Sequence, residues 1–370
     1  HIHNWNYTAD GAVITATCGG DTPCFLEAQT LTVAAAGKVY DGTAVTATVT
    51  KSAAWSTGNG LTEPGAVTYS GNTDAGDYTA TLTVGGVSAV AAFTISPKSM
   101  ASEVSVSAQN KPYDGNAYGI SVVGPEGATV KFGTAADSCT LDASPTFTNA
   151  GTHTVYYEVT RKNYITVSGS APVVITPISA VVTVVGSNST LDYDGGEHTV
   201  TGYTAICGQP LYDVTKDVSF TGTATASRTN AGTTAMGLTS SQFANTNPNF
   251  CDVTFLVTDG YQKIEPICAS VTVVGTASTL DYDGTAHTVT GYVASADTPL
   301  YDVASAFTFS GNATATRTDA GMAKMGLAPS QFTNTDANFK SVTFAVIDGF
   351  QKIEPIGASV AVTGNVSTLD

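Results

Sequence analysis

Ser189-Thr-Leu-Asp-Tyr-Asp-Gly195 recurs as Ser278-Thr-Leu-Asp-Tyr-Asp-Gly284, and Tyr261-Gln-Lys-Ile-Glu-Pro266 recurs as Phe350-Gln-Lys-Ile-Glu-Pro355. Both matches carry one offset, 193 to 282 and 261 to 350. Ala180–Cys268 and Ala269–Gly357 therefore align without a gap, and more than half of the aligned positions are identical. A further copy begins at Ala358 and runs to Leu369-Asp370, just short of its own Tyr-Asp-Gly. Wholesale duplication of this kind marks an array, whose work is reach, display or adhesion.

Two looser copies precede the twins. Tyr40-Asp41-Gly42 and Tyr113-Asp114-Gly115 match Tyr193-Asp194-Gly195 and Tyr282-Asp283-Gly284. Each is followed by an Ala-Gly step: Asp74-Ala-Gly76, Asn149-Ala-Gly151, Asn230-Ala-Gly232 and Asp319-Ala-Gly321. Each copy closes on Ile-x-Pro, at Ile95–Pro97, Ile175–Pro177, Ile264–Pro266 and Ile353–Pro355. This grammar divides the chain into an N-terminal ribbon (1–28), repeats 1 to 4 (29–98, 99–178, 179–267 and 268–356) and the start of a fifth (357–370). Each repeat is long enough to own a small core. Proline cannot continue a ladder, so Ile-x-Pro reads as a last strand meeting a stiff linker. The repeats are expected to fold independently, with little contact across that linker.

Hydrophobicity alternates with a period of two. Tyr78, Ala80, Leu82 and Val84 alternate with threonines, and Val253, Phe255 and Val257 are matched by Val342, Phe344 and Val346. That is half-buried antiparallel strand, rich in Thr and Val as a pleated surface prefers. Met236–Phe243 and its twin Met325–Phe332 allow at most one or two helical turns. The predicted fold is all-β, a tandem array of small Ig-like β-sandwich modules. A β-grasp module, with the short Met236 segment as its helix, is the alternative.

Charged residues make up 12% of the chain, and the formal net charge is −16. Such a balance argues against nucleic acid, which needs clustered Lys and Arg. It suits a surface protein that repels its neighbours. No apolar run approaches the length of a membrane span. The partial repeat at the C-terminus reads as a fragment of a longer protein, so a missing leader says nothing of location.

Tyr-Asp-Gly reads first as a turn, in which Asp accepts from backbone N–H groups and Gly supplies positive φ. Calcium held by Asp192, Asp194, Asp281 and Asp283 is the functional alternative, weakened because few carboxylates converge. His198 and His287 follow the turn on a strand and lack a catalytic partner spacing. No Gly-x-Ser-x-Gly, Walker loop or His-Glu-x-x-His is present, so the chain reads as non-enzymatic.

Asn4–Thr17 reads as a hairpin turning at Asp10-Gly11, with Trp5 facing Ala16 and His3 facing Cys18. His1, His3, Cys18 and Cys24 at one ribbon end offer a tetrahedral zinc set. A Cys18–Cys24 disulfide is the preferred reading for an exported chain. Cys207, Cys251 and Cys268 become Ala296, Lys340 and Gly357 in the twin, which points to an optional staple, with Cys207–Cys251 the candidate disulfide.

The Tyr-Asp-Gly opening, the Asn/Asp-Ala-Gly step and the Ile-x-Pro close resemble the YDG/MBG-type Ig-like repeats of large secreted and cell-wall-anchored bacterial proteins of gut Firmicutes. His1-Ile-His-Asn-Trp5 with Cys18 and Cys24 is similar to the His-x-His-x-Trp…Cys element that precedes such repeats, although the Cys18–Cys24 spacing is wide. The resemblance implies an extracellular, cell-surface or cell-wall location and a stalk or adhesin role, with surface glycans or proteins of host or bacterium as partners. The alternatives are a carbohydrate- or peptide-binding module, with Tyr156 or Tyr157 as an aromatic platform, or accessory repeats of a larger glycan-active enzyme.

Overall fold

A computed structural model of the chain describes residues 2–20 and 24–368. The protein is all-β, a tandem series of small Ig-like β-sandwich modules. Among the described residues there is no α-helix, only short 3-10 turns. The segment that a β-grasp would use as its helix holds one such turn, Ser240–Gln242, repeated in the twin as Pro329–Gln331.

Repeat 1 is completed by the ribbon. Trp5–Asp10, Val13–Cys18, Gln29–Ala34 and Thr48–Lys51 form one antiparallel sheet. The facing sheet runs Lys38–Val39, Val87–Ser96, Gly76–Val84 and Thr68–Tyr69. Ile14, Ala16, Leu31 and Val33 from the first sheet share a core with Leu82, Val84, Phe93 and Ile95 from the second. Val13 pairs with Thr32 across the proposed boundary at residue 28, so ribbon and repeat 1 bury one apolar surface together. A two-stranded ribbon alone has too little apolar face to stand by itself.

The hairpin register differs from the sequence reading by two residues. Asp10 pairs with Val13, Trp5 with Cys18 and Tyr7 with Ala16. The loop is Gly11-Ala12, with Gly11 at φ +51. A slip of two keeps every side chain on its face. Ile14 and Ala16 thus stay inward, and the pattern that suggested the strand is satisfied by either register.

Repeat 2 sets Gln109–Pro112, Val167–Thr176, Gly151–Thr160 and Thr129–Gly133 in one sheet over Ile120, Phe132, Val155, Val173 and Ile175. Repeats 3 and 4 share one topology. In repeat 3 the strands are Tyr203–Cys207, Val181–Gly186 and Thr254–Thr258 on one side, with Asn188–Asp192, Tyr261–Glu265 and Gly232–Ala235 on the other. The twin repeats this order from Ile267–Gly275 to Phe350–Glu354. By compactness the chain divides into two units, His1–Ile178 with Pro248–Cys251, and Ser179–Asn247 with Asp252–Asp370.

Candidate functional site

The three sequence signatures of each module meet at one of its ends. The strand entering Tyr-Asp-Gly lies parallel to the strand ending in Ile-x-Pro, placing Lys38 beside Ile95, Lys111 beside Ile175, Leu191 beside Ile264 and Leu280 beside Ile353. The other flank of each isoleucine is the glycine of the Ala-Gly step: Gly76, Gly151, Gly232 or Gly321. These isoleucines are at most 2% exposed. The tyrosine N–H then donates to the carbonyl just before the proline, at 2.9 Å in all four modules: Tyr40 to Ser96, Tyr113 to Thr176, Tyr193 to Glu265 and Tyr282 to Glu354. Proline has no N–H to offer next, so pairing stops there and the chain leaves the sheet.

The aspartates tie this end together. Their carboxylate oxygens accept from the N–H two residues on: Thr43 at 2.9 Å, Asn116 at 2.9 Å, Gly196 at 2.8 Å and Thr285 at 2.9 Å. The following glycines sit at φ +79 to +81, a region a side chain disfavours. His198 and His287 contact the same oxygens at 2.9 and 3.0 Å. Asp194 is held below the usual carboxylate range, first by His198 and then by the Gly196 N–H. Asp283 is pulled down to about 2, first by the Thr285 N–H, then by its hydroxyl and by His287.

The next repeat docks on this end, contrary to the expectation of little contact across Ile-x-Pro. An asparagine of the following repeat accepts from the Ala-Gly alanine: Asn163 Oδ1 from Ala75 at 2.9 Å, Asn249 Oδ1 from Ala150 at 2.6 Å and Asn338 Oδ1 from Ala231 at 2.7 Å. Its amide nitrogen donates to the residue before that alanine, Asp74 at 2.8 Å, Asn149 at 3.2 Å and Asn230 at 3.4 Å. Its backbone carbonyl accepts from the first residue past the proline, Lys98 at 3.0 Å, Ile178 at 3.1 Å and Ile267 at 3.0 Å. The aromatic residue after the asparagine meets the Tyr-Asp-Gly tyrosine edge to face: Tyr164 with Tyr40 at 5.8 Å and 71°, Phe250 with Tyr113 at 5.7 Å and 76°, Phe339 with Tyr193 at 5.9 Å and 77°. Edge-to-face packing suits the ring quadrupoles. Sequence reasoning missed the Asn-aromatic pair. The signal was available, because Asn249-Phe250 and Asn338-Phe339 coincide in the twin alignment.

A second cluster lies on the ribbon. His3 Nδ1 is 3.5 Å from Cys18 Sγ and 3.3 Å from Cys24 Sγ. All three ligand atoms lie within 4.8 Å of one another, and among the described residues no other group of three His, Cys, Asp or Glu gathers in this way. Tetrahedral zinc with bonds of about 2.3 Å to sulfur and about 2.0 Å to nitrogen needs sulfur–nitrogen gaps of roughly 3.5 Å. The observed gaps match. The Cys18 thiol is lowered to about 7, first by its bond with Cys24, then by the Gly20 backbone N–H and His3, while Cys24 is raised, first by the same Cys18 bond. Two sulfurs and an imidazole nitrogen at this spacing are a ligand set that suits zinc. The sequence set also included His1, which lies outside the described residues. The four calcium candidates form no such gathering.

The expected disulfides are not formed. All six cysteines are free. Cys18 and Cys24 both turn to His3. Cys207 ends its strand opposite Val182, and Cys251 Sγ faces the Pro177 carbonyl at 3.7 Å. Tyr156 and Tyr157, the aromatic-platform candidates, are both half-buried and line a cleft of about 250 Å³ with Asp137, Cys139, Glu158 and Ser168.

No family model matches the sequence, and no curated protein matches it. Among solved structures, the chain is similar to the mixed-linkage glucan utilisation locus protein SGBP-B of Bacteroides ovatus in complex with a mixed-linkage heptasaccharide, at 12% identity over 70% of this chain and 69% of that one, with a TM-score of 0.16. It is also similar to the N-terminal eight Ig domains of Down Syndrome Cell Adhesion Molecule, at 9% identity and TM-score 0.20, covering 93% of this chain and 53% of that one, and so about half its length. A third likeness is to the Protocadherin GammaB4 extracellular domain, at 10% identity and TM-score 0.24, covering 93% and 72%. At such scores the reading of the fold rests on the chain's own strand pairing.

Proposed function

We propose that this chain is a non-enzymatic structural and adhesive segment of an extracellular bacterial surface protein, built of YDG/MBG-type repeats. The observation that supports it is the joint. One set of hydrogen bonds and one ring contact recur at three successive linkers, the backbone bond at 3.0–3.1 Å and the rings at 5.7–5.9 Å. The signatures that define the repeat in sequence are spent on making and holding that joint. Catalysis has no use for such repetition, whereas a chain that must transmit load or hold modules at fixed spacing does. Surface glycans or proteins are its partners, and cell surface or cell wall its location. His3, Cys18 and Cys24 would hold zinc, tying the start of the ribbon to its own far end.

Amide hydrogen exchange on the whole chain tests the joint reading. The linker amides of Lys98, Ile178 and Ile267 should exchange as slowly as strand amides. Free exchange at all three would show flexible linkers and remove the basis for the reading. The cleft beside Tyr156 favours a second reading, carbohydrate binding, since an aromatic face flanked by Asp137, Glu158 and Ser168 suits a sugar ring. Saturable binding on a glycan array that Tyr156→Ala abolishes would support it, and binding insensitive to that change would not.

A further inference from the structure

We propose that the end of repeat 4, formed by Tyr282, Asp319, Ala320 and Ile356, is an open docking site whose occupant is a further module of this kind, presenting an asparagine followed by an aromatic residue.

The site is complete on its own side. Tyr282 N–H donates to Glu354 at 2.9 Å, Gly321 pairs with Ile353, and Asp283 closes its turn on Thr285 at 2.9 Å. Every feature that shapes the first three module ends is therefore formed in the fourth. What differs is the covering. Tyr40, Tyr113 and Tyr193 are half-buried beneath their partner rings, whereas Tyr282 is 38% exposed. Ala75, Ala150 and Ala231 are half-buried and donate to an asparagine, whereas Ala320 is exposed. Ile178 and Ile267 are bonded at the linker, whereas their counterpart Ile356 is 58% exposed.

The three occupied copies define the chemistry of the missing partner. It must bring a carboxamide whose oxygen takes the Ala320 N–H and whose nitrogen reaches the Asp319 carboxylate. It must bring a backbone carbonyl for the residue 356 N–H, and an aromatic ring that meets Tyr282 edge to face. Asp319 matches Asp74, which already accepts from Asn163 at 2.8 Å. A second copy of this chain is a poor source. Its own Asn163, Asn249 and Asn338 are each engaged within the chain. A module following in sequence is the fitting source. Residues 358–370 match 269–281 at Ala, Ser, Val, Gly and the closing Ser-Thr-Leu-Asp, so the strand that leads from one joint into the next module is written again after repeat 4.

The test extends the chain. Residues 356–370 are replaced by a second copy of Ile267–Pro355, and amide exchange is followed by NMR in the original and extended proteins. Ala320 and residue 356 should slow to the rates of Ala231 and Ile267. Asn338→Ala, placed in the added copy alone, should restore the fast rates while the core amides of the added module stay protected. A second extension, using a copy of Ile178–Pro266 with its own Asn249-Phe250, should behave in the same way. The proposal is overturned if an added module folds while Ala320 keeps its original exchange. It is equally overturned if both added modules stay unfolded, since repeat 3 supports such a neighbour and repeat 4 then would not. Protection of Ala320 that rises with concentration in the unextended chain would name a second copy as occupant and also refute it.

Discussion

Replacing Asn338 by alanine removes the side chain that joins repeat 4 to repeat 3 and leaves its backbone carbonyl in place. The Ala231 N–H loses its acceptor at 2.7 Å. An unsatisfied buried donor costs about 1–3 kcal/mol, and the lower end applies here because Ala231 is only half-buried and water can reach it. The bond to Asn230 at 3.4 Å is long and adds little. The joint should therefore open more easily by about 1–1.5 kcal/mol, which is roughly 5- to 12-fold at about 1.4 kcal/mol per decade. The amide to watch is Ile267, whose bond to the Asn338 carbonyl at 3.0 Å survives the substitution. Its exchange should quicken by that factor, while Val271 and Val273, inside the core of repeat 4, stay unchanged. Unchanged exchange at Ile267 would mean that the asparagine decorates the joint without holding it, and the reasoning would fail.

Other outcomes follow from the same geometry. Tyr193→Ala deletes the edge-to-face partner of Phe339 and should quicken Ile267 exchange further, by about 0.5–1.5 kcal/mol beyond the lost area; an effect confined to repeat 3 would argue against a shared joint. Reduced protein should take up one Co(II) or Zn(II) with a thiolate-to-cobalt absorption band, and the double change Cys18→Ser with Cys24→Ser should remove that band; a band that persists would place the metal elsewhere. Chelation of calcium should leave the melting temperature unchanged, and a fall of many degrees would return Asp192, Asp194, Asp281 and Asp283 to the ligand set. Because the Asp283 pKa is depressed in the folded chain to about 2, its turn is fully formed above the ordinary carboxylate value near 4 and is lost as pH falls towards 2. An NMR titration of the Thr285 amide that turned over near pH 4 would contradict this.

Much of this organisation is legible in the sequence because its local rules act over short distances. Alternating Thr and Val mark the strands, Asp and Gly mark the turns, and proline marks where pairing stops. Those residues placed three signatures in each repeat without showing that they lie together, since Ile95, Gly76 and Lys38 become neighbours only through sheet pairing. The docking asparagine was harder still. Asn338 is 107 residues from Ala231, and a lone Asn before an aromatic reads as an ordinary loop. The hairpin slip at Gly11-Ala12 was hidden for a different reason, because a shift of two conserves the inward face. The expected disulfides rested on redox context and on loss in the twin. Neither argument fixes where Cys207 and Cys251 point once the strands are built.

The central claim is that the joints make the repeats act together. Differential scanning calorimetry of the whole chain, compared with a variant carrying Asn163→Ala, Asn249→Ala and Asn338→Ala, tests it most directly. The account predicts fewer and sharper transitions in the unaltered chain, and broader, separated transitions at lower temperature in the variant. Superimposable scans would contradict it, showing modules that melt alone whether or not the joints are intact.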